Sequence, residues 1–278
     1  MSCKNSQPES AQMPQVGDTV MQKGASAEQI EAFWNKRAQF GVNAGSDDFN
    51  VKELEMREIL ARTPEAARVL DLGCGNGMTL IRLAHEKNCS GVGIDYAAHL
   101  VALANEYGRE AAVDGRIEFQ VGRVPGIPKE IGLFDVAITE RCLINIIDAA
   151  VQYEAFCDIR DKVKAGGTYL MIENSQQAYE ETNDVRRKIG VPPLKEWHAL
   201  YLDETTVRNW QTDDFILEEI SHFTSTYYFL SRVVYARLAY DAGQEPRYDS
   251  PINRLALELP SFGTFGPTKL WVWRKRGV

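Results

Sequence analysis

Apolar positions recur along this chain in two periods, and the switch between them marks out its elements. Ile30, Phe33, Trp34 and Ala38 follow the spacing of one helix face. Ser26 and Gln29 stand three apart just before that stripe, the spacing of a capping box. A polar link, GVNAGSDDFN, leads to a second helical stripe carrying Leu54, Ile59 and Leu60, with Asn50 as its expected N-cap and Glu53 three residues on. Short apolar runs then alternate with helical stretches. Residues 68–72, 90–94, 117–121, 134–138 and 168–173 read as strands, with helices over 77–87, 97–113 and 148–164. Strands separated by helices of this length imply βαβ units, so the fold class is α/β, with a parallel sheet covered by helices on both faces.

The last third has a different rhythm. Residues 176–189 and 203–211 look helical, and 215–224 and 269–274 look like strands. The segment between those two strands is too long for a hairpin turn, so it is expected to carry its own structure. The reading divides the chain into a disordered tail over 1–25 and a single domain over 26–278. Within that domain 26–64 forms a helical cap, 66–175 a ligand-binding core, and 176–278 the last strands and the walls of an acceptor pocket.

Composition narrows the function. The 278 residues carry a net charge of -8, which suits a nucleic-acid partner poorly. No apolar run approaches the ~18 residues of a membrane span, and the N-terminal segment has no apolar signal core. The five cysteines form no C-x-x-C pair and no zinc spacing, so no metal site is expected and the thiols read as reduced, in a cytoplasmic protein. A homodimer is compatible with the sequence.

The segment with the most chemistry is VLDLGCGNG, residues 69–77. A buried strand runs into a glycine turn and then a helix whose first amides are unpaired, so a ligand can approach the backbone. A second strand ends in Asp95, at a distance suited to gripping ribose hydroxyls. Met78 occupies the place of the third glycine of a dinucleotide fingerprint, which argues against a pyrophosphate seat. Asp71 argues the same way, since a carboxylate would repel a pyrophosphate and attract an ammonium or sulfonium.

On these residues the chain resembles the class I S-adenosylmethionine-dependent methyltransferases, over roughly 66–175. VLDLGCGNG is similar to the family's first motif and GVGIDYA to its second; FDVAITERCLINI and VKAGGTYLMIE are similar to the motifs of strands four and five. The resemblance implies a Rossmann-like, seven-stranded, mostly parallel sheet with an antiparallel terminal pair, and S-adenosylmethionine as cofactor. It places Asp71, Gly73 and Gly75 at the methionine part, Asp95 at the ribose and Tyr96 at the adenine, with Cys74 of the same turn also touching the cofactor. Glu140 would meet cofactor or acceptor, and Trp34 and Arg37 of the N-terminal helix would close over the cofactor. Arg123 departs from the pattern, standing where the family often has an acid for the adenine amino group.

The remaining candidates concern the acceptor. His198 and Glu140 are candidate bases, against bland readings as a loop histidine and a surface charge. Arg141, Asn145, Tyr201, Tyr228 and Arg232 are candidate acceptor contacts, with rings for a sugar or planar group and guanidinium forks for an anion. A looser likeness of the C-terminal third to methyltransferases of bacterial surface-polysaccharide synthesis points to O-methylation of a glycan or of a small phosphate- or carboxylate-bearing acceptor. The alternatives are a methyltransferase of protein or nucleic acid, a non-catalytic cofactor-binding module, and an NAD enzyme.

Overall fold

The computed structural model describes residues 24–195 and 198–277. Most of the expected tail, together with Trp197, lies outside them. The chain opens with α1 (Ala27–Arg37), in which the Ser26 hydroxyl accepts from the Gln29 amide and the Gln29 side chain accepts from the Ser26 amide. A 3-10 segment (Ala38–Asn43) and α2 (Phe49–Arg62) complete the N-terminal cap. The cap of α2 is Asp48 and not Asn50: its Oδ1 accepts from the Val51 amide, while Asn50 reaches away to the Tyr248 carbonyl and the Tyr227 hydroxyl.

The core follows the alternation read from the sequence. It comprises β1 (Arg68–Leu72), α3 (Met78–Glu86), β2 (Ser90–Asp95), α4 (Ala98–Glu110), β3 (Ile117–Val121), β4 (Phe134–Glu140), α5 (Ala149–Lys162) and β5 (Val163–Asn174). Then come α6 (Gln176–Lys188), α7 (Glu204–Arg208), β6 (Phe215–Ser221), α8 (Ser225–Tyr228), a π-type stretch (Phe229–Tyr235), α9 (Ala236–Asp241), α10 (Pro251–Glu258) and β7 (Thr268–Lys275). The segment between the last two strands therefore does carry its own helices.

The seven strands form one sheet in the order β3-β2-β1-β4-β5-β7-β6. β7 runs antiparallel to both neighbours, and the other pairings are parallel. The order reverses between β1 and β4, so the ends of β1, β2 and β4 open on one crevice. One apolar layer, with Leu80, Leu83, Ile138 and Leu270, packs on one face; another, with Leu70, Phe156, Tyr169, Trp271 and Trp273, packs on the other. Burying both faces makes the strands near-continuous apolar runs, which is why they stood out in the sequence.

Two polar ties bind α2 over the crevice. Asp48 Oδ2 accepts from Arg232 of the π-type stretch, and its Oδ1 also accepts from the Tyr227 hydroxyl at 2.7 Å. Glu55, fully buried, takes Arg141 at the end of β4 as its ion-pair partner. Burial pushes the Glu55 carboxyl up to about 7, with the Arg141 charge opposing. Removing the acid of the first pair leaves a guanidinium that is only 16% exposed without its counter-charge. Asp48→Ala should therefore lower the unfolding free energy by about 3–5 kcal/mol in urea titrations; wild-type stability would contradict the tie. The second pair makes stability pH-dependent. Folded Glu55 holds its proton up to about pH 7, whereas its unperturbed value is 4.5. Between those values the folded state binds more protons, so its contribution is present at low pH and lost as pH rises. The fall from this group should be roughly 3 kcal/mol, and Glu55→Gln should flatten the stability curve over that window; an unchanged slope would contradict the assignment.

Candidate functional site

The turn after β1 is shaped by what lies beneath it. Gly73, Gly75 and Gly77 all have positive φ, which places three amides around one bend. A Cβ at Gly77 would stand 2.6 Å from the Phe119 ring, and one at Gly93 would stand 2.4 Å from it. The Phe119 ring of β3 thus fills the space two side chains would need, and draws the turn down onto β2. Gly75 differs: a Cβ there would meet nothing within 4 Å, so this residue faces open space. Asn76 donates to the Gly41 carbonyl at 3.0 Å and ties the turn to the N-terminal cap.

Asp95, at the end of β2, fastens the crevice from the other side. Its Oδ2 accepts from the Gly75 amide at 2.9 Å and its Oδ1 from the Ala97 amide at 2.8 Å. Each oxygen keeps a second lone pair for a ligand. Burial raises the Asp95 pKa, with those two amides opposing. Beside it lies a largely apolar cavity of about 320 Å³, walled by Ile94, Tyr96, Val124, Ile146 and Ile147 among others. Arg123 borders this cavity, lies 5.3 Å over the Tyr96 ring and pairs with Glu31 of α1. The cation occupies the acid's expected place as a lid on the aromatic ring.

A second cavity, of about 310 Å³, is more polar than the first and shares Gly73, Asp95, Tyr96, Cys142 and Asn145 with it. Its walls bring together nearly all the site residues read from the sequence: Trp34, Arg37, Cys74, Gly75, Glu140, Arg141, His198, Tyr201, Tyr228 and Arg232. Asp71 is the exception. It is buried beneath the turn and is not on the wall; its Oδ2 has no hydrogen-bond partner among the described residues. Burial raises its pKa, with the Glu140 and Asp95 charges adding to the effect. Arg37 and Arg232 reach the wall with their charges already engaged. Arg37 donates to the carbonyls of Ala44 and Asn43 and pairs with Asp47 at 3.3 Å, while Arg232 is held by Asp48. The Tyr228 hydroxyl hydrogen-bonds Thr268 at 2.9 Å, and the Tyr201 ring packs edge-on against Tyr179.

The loop after β4 is organised by an acid that sequence reasoning passed over. Glu173, near the end of β5 and fully buried, accepts the amides of Cys142, Leu143 and Ile144 at 3.1, 2.9 and 3.3 Å. Burial pushes its carboxyl up to about 7, although the three amides favour the charged form. Arg141 sits at positive φ, with its carbonyl taking the Asn145 Nδ2 at 2.6 Å. That bond orients the Asn145 amide. Its Oδ1 must then accept from His198 Nε2, 2.9 Å away. The proton of His198 is thereby on Nε2, and the basic lone pair is on Nδ1, which is buried without a partner among the described residues. Burial lowers the His198 pKa, so the ring is neutral at pH 7. Glu140 ends β4 and accepts from the Thr79 hydroxyl through one oxygen only.

Comparison with known proteins agrees with this geometry. Residues 69–167 match the family described as "Methyltransferase domain". The chain is 27% identical over 145 residues to the ubiquinone/menaquinone biosynthesis C-methyltransferase UbiE of Geotalea uraniireducens (strain Rf4), covering 51% of this chain and 57% of that protein. It is 27% identical over 133 residues to the ajmaline N-methyltransferase of Rauvolfia serpentina, covering 44% of each. The chain thus spans about half the length of the curated relatives it matches. The crystal structure of the [4+2]-cyclase SpnF superposes with a TM-score of 0.63 at 17% identity, over 93% of this chain and all of that one. With the seven-stranded sheet and the crevice at its switch point, the match over 69–167 makes that stretch similar to a methyltransferase domain and supports the resemblance to class I S-adenosylmethionine-dependent methyltransferases.

Proposed function

We propose that the crevice holds S-adenosylmethionine across its two cavities and transfers the methyl group to a small polar acceptor, most directly to an oxygen. The observation that carries the reading is the division of the site. An apolar slot suits a planar base, a two-toothed carboxylate stands at its inner end, and a polar chamber opens beyond. The donor fits these residues. Adenine would lie in the slot against Tyr96, the ribose hydroxyls would donate to Asp95, and the methionine end would cross the open face of Gly75. Asp71 lies beneath the turn with one oxygen partnerless among the described residues, where a cationic donor would favour its charged form.

The bound donor supplies a methyl group already activated by the sulfonium. The protein's part is then alignment and exclusion of water, for which positioning alone is worth about 7–11 kcal/mol of barrier. Trp34 and Arg37 close the chamber from the cap. A neutral hydroxyl acceptor would also need its proton removed. Of the two candidate bases the geometry supports Glu140, since its second oxygen makes no hydrogen bond among the described residues. His198 presents a protonated nitrogen to Asn145 and seals its basic one, which suits an orienting role. An O-methylated glycan or a phosphate- or carboxylate-bearing acceptor of surface-polysaccharide synthesis remains the specific proposal. The chemistry of the relatives spans carbon and nitrogen methylation and does not select among acceptors.

Two outcomes are expected. Asp95→Ala should weaken S-adenosylhomocysteine binding by about tenfold or more by calorimetry, the loss of two charge-assisted hydrogen bonds; unchanged affinity in a folded variant would remove Asp95 from the ribose. With an acceptor found by screening S-adenosylhomocysteine release, Glu140→Gln should lower kcat about 100-fold or more, and His198→Asn should cost much less. The reverse ranking would transfer the base role to His198, and no release with any acceptor would favour a non-catalytic module.

A further inference from the structure

Four cationic side chains line the polar chamber: Arg37, Lys52, Arg141 and Arg232. Three have partners from the chain itself. Arg37 is spent on two carbonyls and Asp47, Arg232 on Asp48, and Arg141 on Glu55 through one nitrogen. Lys52 is the exception. It projects from α2 toward the 44–48 loop, so that a Cβ on Gly45 would stand 2.9 Å from its Nζ. Among the described residues no carboxylate comes within the 4.0 Å of an ion pair and no group accepts a hydrogen bond from this ammonium. An ammonium that is only partly exposed and has no direct ion-pair partner is costly, and proteins rarely keep one unless something completes it.

We propose that Lys52, with the unused guanidinium nitrogens of Arg141, is the anion seat of the acceptor, and that the methylated compound carries a carboxylate or phosphate. This rests on the cofactor reading above. The groups facing Lys52 fit that assignment. Glu140, Glu55 and the buried Asp71 attract its charge without pairing with it, and Arg141 repels it. Glu55 is spent on Arg141, and one oxygen of Glu140 is spent on Thr79. Burial lowers the Lys52 pKa, so an incoming anion would restore the ammonium that burial disfavours. An acceptor seated there through its anion would be anchored on the same chamber wall as Glu140. A hydroxy acid or hydroxy phosphate could then present its hydroxyl to that carboxylate.

The test is calorimetric titration of the full-length protein saturated with S-adenosylhomocysteine, using benzoate, phenyl phosphate and uncharged benzyl alcohol as probes. At least one anion should bind in preference to benzyl alcohol, and which one identifies the acceptor's group. Lys52→Met should weaken that anion about tenfold or more while leaving S-adenosylhomocysteine affinity unchanged, and Lys52→Arg should retain the anion. Equal anion binding by wild type and Lys52→Met, or benzyl alcohol binding as well as the anions, would overturn the proposal. So would a parallel loss of S-adenosylhomocysteine in Lys52→Met, which would assign the ammonium to the cofactor's own carboxylate. Failure of the wild-type protein to bind S-adenosylhomocysteine would overturn the cofactor reading itself, whereas normal cofactor affinity with no anion bound would overturn the Lys52 seat alone.

Discussion

The site depends on how closely the backbone of the 73–77 turn approaches the sheet. The Phe119 ring occupies the space that side chains at Gly77 and Gly93 would take, and Cys142 Sγ stands 2.8 Å from where a Cβ on Gly73 would be. These contacts hold the turn between β2, β3 and the loop after β4. With no side chain in the way, the open face of Gly75 remains for a ligand. A single larger residue at Gly77 or Gly93 would have to displace the ring and with it the floor of the crevice.

Around that turn, buried carboxylates do the joining. Asp95 ties β2 to the turn and to α4, Glu173 gathers the three amides after β4, Asp48 links α2 to the C-terminal helices, and Glu55 holds Arg141. Each sits where a charge is expensive, and each is compensated by amides or a guanidinium. The chamber is thereby assembled from distant stretches of chain: the cap, the β4 loop, the 198–201 segment and the C-terminal insert, set against the glycine turn and the end of β2. Its acceptor side is built from the parts that differ most from a bare βαβ core.

What could be read in the sequence was what is local. The strands, the capping box at Ser26, the glycine turn and Asp95 are each specified within a few residues, and the match over 69–167 follows the same stretch. Asp48 escaped because Asn50, two residues on, is an equally good cap by type. Its partners, Arg232 and Tyr227, are supplied by a remote segment. Lys52 and Glu55 were not singled out in the sequence, and only packing against Arg141 and the 44–48 loop gives them a place in the site. His198 was legible as a candidate base, but its tautomer is decided by a chain of bonds through Asn145 to the Arg141 carbonyl, which no spacing rule reveals.

The most direct measurement is a crystal structure of the protein with S-adenosylhomocysteine. The account requires adenine in the apolar slot beside Tyr96, both ribose hydroxyls on Asp95, and the sulfur at the junction by Cys142 and Asn145, pointing into the polar chamber. A ligand seated elsewhere, or a ribose that leaves Asp95 bonded only to Gly75 and Ala97, would contradict it.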